Sequence, residues 1–311
     1  MLHFATVLAL AAVLSLSACG TGSNRGSATL SSQLRTGAIA INPQFDEARS
    51  FSDGLAAVRI GDEHTGKWGY IDAQGHFVIN PQFNKVDSFS EGLAAVEITP
   101  DTDAESFAGT FLGQTWGYID KQGRFVVKPQ FGLARSFSGG LAAVQIGNVV
   151  TAKWGYIDEQ GQLVIKAQFG NAMTFSDGLA PVEMGRFPTG KWGFIDRQGQ
   201  FVISPQFAFA DPFAEGLALV EIGQFNKGKS GYIDKQGQFA INPEFDDGRG
   251  FSDGLAAVRV GQSPTGKWGY IDKQGHFVIE PQFAFAGSFV HGLAPVETGD
   301  LAAGKWGYIA R

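Results

Sequence analysis

The chain has 311 residues, 44% hydrophobic and only 17% charged, which supplies a sizeable core and excludes a chain that stays disordered. A net charge of −6 and a pI near 5.4 leave no basic surface to displace counterions from a phosphate backbone, so nucleic acid is excluded as a partner class. With 43 glycines and 27 phenylalanines, the composition points to tight turns between aromatic strands and hence to an all-β fold.

Phe4 to Leu16 is an apolar run broken only by Thr6 and Ser15. It is too short to cross a bilayer as a helix and has the length of the apolar region of a secretory signal. Small residues follow, ahead of Cys19, the single cysteine, so no disulfide is available. Leu16-Ser17-Ala18-Cys19 resembles the lipobox of bacterial lipoproteins, in which cleavage precedes the cysteine and its thiol carries diacylglycerol. The resemblance implies a signal peptide over 1–18, lipidation of Cys19 and membrane attachment through that lipid. Ordinary secretion is the alternative. Residues 19–36 are polar and small, as a flexible tether requires. Gly20, rather than Asp, after the cysteine favours the outer over the inner membrane of a Gram-negative envelope.

From residue 37 to 311 the sequence repeats. Trp68, Trp116, Trp154, Trp192, Trp268 and Trp306 each precede a glycine, at steps of 48, 38, 38, 76 and 38 residues. The step of 76 is twice 38, and Ser230-Gly231 occupies the skipped position. The step of 48 is 38 plus ten, the excess lying between Glu97 and Trp116. A fixed period of this size means one supersecondary unit stacked on itself. Trp-Gly-Tyr-Ile-Asp at 68–72, Pro-Gln-Phe at 81–83 and Gly-Leu-Ala-Ala-Val at 92–96, with their copies, resemble the WG-repeat proteins of bacteria. That resemblance implies a structural and binding repeat with no assigned reaction.

Within a unit, Trp68 and Tyr70 alternate with Ile71 on the opposite face, the period of a strand. Asp72 to Gly75 forms a turn, and Phe77 to Ile79 returns as a second strand. Pro81 donates no N–H and should end the ladder, while Phe83, Val86 and Phe89 at three-residue spacing suggest a short helical turn. Glu91-Gly92 turns the chain into a third strand, Leu93 to Val96, apolar on both faces as a strand between two neighbours should be. The repeated indole is the main core residue.

The array starts in mid-unit at Gly37 and ends on Trp306-Gly307-Tyr308-Ile309, so two part-units together make one. Pairing Ile39 to Ile41 with the last strand would close a seven-unit, propeller-like toroid of about three strands per unit and remove the exposed edges. An open β-solenoid of stacked hairpins is the alternative.

Asp72, Asp120, Asp158, Asp196, Asp234 and Asp272 each have a turn to stabilise, and His76, His276, His64 and His291 fall in turns or variable solvated positions. Arg59, Glu97, Gln145, Glu183 and Arg259, at one matched position, are expected on a solvated face. No motif for a metal, a cofactor or a catalytic triad is present in the sequence. Function then falls on what breaks the repeat, above all the insertion over 99–115, a candidate binding loop with Asp101, Asp103, Glu105, Phe107 and Phe111. The expectation is a monomeric, non-enzymatic, lipid-anchored envelope protein that binds a protein or glycan. The alternative is an envelope glycan hydrolase with paired carboxylates in a central channel.

Overall fold

The computed structural model describes residues 39–99, 115–147, 151–299 and 304–311. These form seven antiparallel sheets in series, six of four strands and the last of three. In the first sheet the strands are Glu47–Ala48, Ala56–Ile60, Lys67–Ile71 and Phe77–Phe83, hydrogen-bonded in chain order. Only Asn84 separates the fourth strand from Lys85–Val86, which opens the second sheet. Each sheet therefore hands the chain from its far edge directly to the near edge of the next.

The unit thus has four strands rather than about three. Pro81 lies inside the fourth strand instead of ending it, because that strand is an edge, where a missing N–H breaks no ladder bond. Its register shifts between Trp68↔Phe83 and Tyr70↔Ile79, which brings its backbone over Gly69. A Cβ on Gly69 would lie 2.5 Å from the Ile79 carbonyl oxygen and 2.7 Å from the Pro81 nitrogen. The same crowding recurs at Gly117, Gly155, Gly193, Gly231 and Gly269, so at six of the seven Trp positions the following glycine is required by close backbone approach. The expected helical turn is also replaced: Phe83, Val86 and Phe89 are all buried because the chain bends at Asn84 between two strands.

The core lies between sheets. Leu55, Ala57, Trp68, Tyr70, Ile79 and Phe83 of the first pack with Val86, Phe89, Ala94, Val96 and Ile119 of the second, and this cluster recurs along the array. Trp68, Trp116, Trp154, Trp192 and Trp268 are 5–7% exposed, as the repeated-indole core requires. A buried indole removes roughly 150–250 Å² from water. At about 25 cal/mol per Å² that is on the order of 4–6 kcal/mol gross for each.

The two ends differ from the interior. Trp306 is 51% and Tyr308 57% exposed, and the last sheet, Phe285–Ala286, Leu293–Thr298 and Lys305–Ala310, has no fourth strand. No pairing joins residues 39–45 to Lys305–Ala310, so the expected closure between chain ends is not formed here. Every junction is set by contacts between neighbours, and nothing in such a junction forces seven steps to complete a full turn.

Candidate binding surface

Most polar groups with a fixed phase in the repeat bridge neighbouring sheets. The hydroxyls of Tyr70, Tyr118, Tyr156, Tyr232 and Tyr270 donate to the backbone oxygens of Asp87, Arg135, Met173, Arg249 and Gly287 in the next sheet, at 2.7–2.9 Å. Ser52, Ser90, Ser138, Ser176 and Ser252 donate in the same way to Phe89, Phe137, Phe175, Phe213 and Phe289. The turn carboxylates of Asp53, Glu91, Asp177, Glu215 and Asp253 accept from backbone N–H groups of the next sheet's turn. Phe194, Ala214 and Gly139 each interrupt one of these three ladders, and they do so at three different junctions. At least two of the three bonds thus hold every junction.

The hairpin aspartates belong to their turns. Asp72 accepts from the N–H groups of Gln74 and His76, and Asp120, Asp158, Asp196, Asp234 and Asp272 do the same in their own hairpins. The His76 N–H holds the Asp72 carboxyl below its ordinary range. His76 and His276 point into solvent beside Asp72 and Asp272. Among the described residues no group of three or more His, Cys, Asp or Glu is placed to hold a metal ion.

The matched charged position is not a solvated face. Glu97, Glu183, Glu221 and Glu297 are buried, and Arg59 and Arg259 are nearly so. Where the loop that joins the second and third strands is described, it folds back over this position: Glu221 accepts from Asn226 N–H at 3.1 Å and Gly228 N–H at 2.9 Å, and Arg59 donates to the Gly61 oxygen at 2.6 Å. A charge just before a loop is here a tie for that loop's backbone.

A half-buried charged line follows the short first strands. Arg49, Asp87, Arg135, Asp211 and Arg249 occupy one phase, broken by Met173 and Gly287. Arg49, Arg135 and Arg249 lie over Trp68, Trp154 and Trp268 at 4.7, 5.0 and 5.4 Å and donate to backbone oxygens of the next sheet. Burial raises the Asp87 carboxyl and pushes that of Asp211 up to about 6.

One repeated feature is left open to solvent, and sequence reasoning missed it. On the fourth strands, Val78, Val126, Val164, Val202 and Val278 are 45–55% exposed. Phe77, Phe125, Leu163 and Phe201 stand beside the first four and are also exposed, as is Phe239 beside Ala240. The phenylalanine rings are held edge-on against Phe45, Phe83, Phe169 and Phe207 of the preceding unit, at 5.9–6.4 Å. This gives a regularly spaced apolar row along the outer edges of the sheets. In the sequence Phe77-Val78-Ile79 reads only as the returning strand of a hairpin; being an edge strand is what exposes two of the three. Cys19 and the insertion residues Asp101, Asp103, Glu105, Phe107 and Phe111 lie outside the described residues.

The family model of the WG containing repeat matches residues 35–63, 68–99, 116–149, 154–186, 192–224, 231–262 and 268–306. No curated protein matches. Among solved structures, a prolyl endopeptidase is similar at 10% identity and a TM-score of 0.53, over 85% of this chain and 49% of that one. Prolyl oligopeptidase B from Galerina marginata is similar at 12% identity and a TM-score of 0.50, over 75% and 41%. The β-propeller domain of the Trilobed protease from Pyrococcus furiosus is similar at 9% identity and a TM-score of 0.48, over 85% and 94%. The chain spans half or less of the two prolyl peptidases, and at these identities the likeness concerns the fold alone, with no activity carried across. With seven matched segments along the chain, six of them each running from one sheet into the next, the chain belongs to the WG containing repeat family.

Proposed function

We propose that this protein is a non-enzymatic scaffold that binds a protein or glycan partner along the outer edges of its sheets. The observation that carries this reading is the row of ordered, exposed Phe, Leu and Val side chains, repeated from sheet to sheet while the hydroxyls, turn carboxylates and hairpin aspartates around it serve the fold. A rigid array offering many equivalent apolar contacts suits an extended partner, since weak contacts in fixed register add. Lipidation at Cys19 would tether it to the envelope, with the outer membrane favoured, and the loop over 99–115 would add contacts at one end.

The test is capture of partners from crosslinked cells by the wild-type chain and by a chain carrying Val126→Asp, Val164→Asp and Val202→Asp. The expected result is at least a tenfold loss of captured partner with the thermal transition unchanged, since these side chains already face water. Equal capture by both chains would overturn the reading. Deleting residues 101–110 in the same assay, which restores the 38-residue step and keeps the paired Ile98 and Thr115, separates the loop from the row, and Cys19→Ser should move the chain out of the membrane fraction.

A further inference from the structure

The two ends of the array are the separated halves of one more junction. In the interior, a sheet gives the junction its Trp, its Tyr and its fourth strand, and the following sheet gives the Phe after its first strand: Tyr70 meets Phe89 at 4.7 Å, and Tyr118 meets Phe137 at 4.8 Å. The last sheet keeps its Trp and Tyr but lacks the fourth strand and a following sheet, leaving Leu293, Trp306 and Tyr308 each more than 50% exposed. Gly307 has nothing within 4 Å of a Cβ, where the six other glycines of this phase each meet a fourth-strand carbonyl oxygen at 2.5–2.7 Å.

The beginning of the array holds what the end lacks. Residues 39–45, Ile-Ala-Ile-Asn-Pro-Gln-Phe, match the fourth strand Phe239–Phe245, Phe-Ala-Ile-Asn-Pro-Glu-Phe, at five of seven positions. They already sit on the first sheet as a fourth strand sits on the sheet that follows it. A Cβ on Gly75 would touch Ile41 as one on Gly123 would touch Ile79, and Phe45 meets Phe77 at 5.9 Å as Phe83 meets Phe125 at 6.4 Å. Phe51, the counterpart of Phe89, is 47% exposed where Phe89 is 1%.

We propose that a second copy of this chain completes the junction, so that the protein assembles head to tail. Residues 39–45 of one copy become the fourth strand of the other copy's last sheet, in the register Trp306↔Phe45, Tyr308↔Ile41 and Ile309↔Ile39. That register transposes Trp68↔Phe83, Tyr70↔Ile79 and Ile71↔Phe77. Tyr308 then packs on Phe51, and its hydroxyl donates to the Arg49 backbone oxygen, as Tyr70 does to that of Asp87. The occupant follows from the structure itself: both halves are present in one molecule, both are open, and they fit in the phase of the six formed junctions. Because the contact joins two different surfaces, each addition leaves one of each exposed, and growth continues unless the rotation closes a ring.

The test uses two full-length chains with different tags, both Cys19→Ser, in detergent micelles, one carrying Phe45→Cys and the other Trp306→Cys. Mild oxidation should give a disulfide-linked species containing both tags, in at least tenfold excess over chains with either cysteine alone. The same pair should fail to link when the second chain also carries Gly307→Val. A side chain at 307 is free of contacts in the single chain but collides with an arriving strand, so its circular dichroism and thermal transition should match the parent. Absence of a two-tag product, or equal linking with Gly307→Val, would overturn the proposal. A double variant on one chain that links only within itself would also overturn it, and would show that the seven sheets close on themselves.

Discussion

Replacing Trp154 with Ala tests the repeated core at its centre. Trp154 is 5% exposed and shares its cluster with Leu141, Tyr156, Ile165 and Phe169 of its own sheet and with Ala172, Phe175, Val182 and Ile195 of the next. Its transfer term is on the order of 4–6 kcal/mol gross. After partial collapse of the cavity, a loss of roughly 3–5 kcal/mol is expected. Trp306 supplies an internal standard. It is half in water and lines no closed cavity, so Trp306→Ala should cost at most about 2 kcal/mol. Stability in such an array is distributed over units, and the assay that resolves it is amide hydrogen exchange read sheet by sheet. Trp154→Ala should accelerate exchange in Lys153–Ile157 and Ala180–Met184 by roughly 10²- to 10³-fold, with little change in the first sheet. A loss below about 1 kcal/mol, or one no larger than that of Trp306→Ala, would refute the buried-indole core.

Gly155→Ala should destabilise by roughly 1–3 kcal/mol, because its Cβ would lie 2.6 Å from the Ile165 oxygen and 2.8 Å from the Ala167 nitrogen, both backbone; urea denaturation alongside wild type checks this. Ser230 holds the tryptophan position of the fifth sheet, so Lys229–Ile233 should exchange faster than Lys153–Ile157, and equal protection would show that the missing indole is compensated. Burial raises the Asp211 carboxyl from 3.8 to about 6, so between those pH values the folded chain binds more protons than the unfolded one. The stability this contributes is full below about pH 4 and is lost as pH rises to about 6, amounting to on the order of 3 kcal/mol. Asp211→Asn should remove that decline, leaving the variant the more stable above pH 6 in denaturation curves taken from pH 4 to 7.

Much of this architecture is written in the spacing of Trp-Gly pairs, because a contact made once between neighbours must recur at the same phase in every unit. The seven units, the buried indoles and the hairpin aspartates follow from that. The short first strand of each sheet does not, because Phe83, Val86 and Phe89 at three-residue spacing read as a helical turn; nor does the full length of the fourth, because Pro81 normally stops a ladder and only its place on an edge lets Phe77–Phe83 run through it. Nor does the burial of Glu183 and Glu221: a carboxylate beside a loop looks solvated in the sequence, and the fold of the loop back over it depends on backbone positions that no residue pattern encodes. The ends mislead for a related reason. Residues 39–45 and 306–309 carry complementary patterns, yet whether complementary strands meet within one chain depends on the angle accumulated over all the junctions between them, and spacing alone carries no angle.

The most direct test of the account is acrylamide quenching of tryptophan emission, measured in dilute solution for the wild-type chain and for Trp306→Phe. Five indoles are 5–7% exposed and one is 51% exposed, so nearly all the quenchable emission should belong to Trp306 and vanish in the variant. Quenching that persists undiminished in Trp306→Phe would mean that the repeated indoles face water and that neighbouring sheets do not bury them.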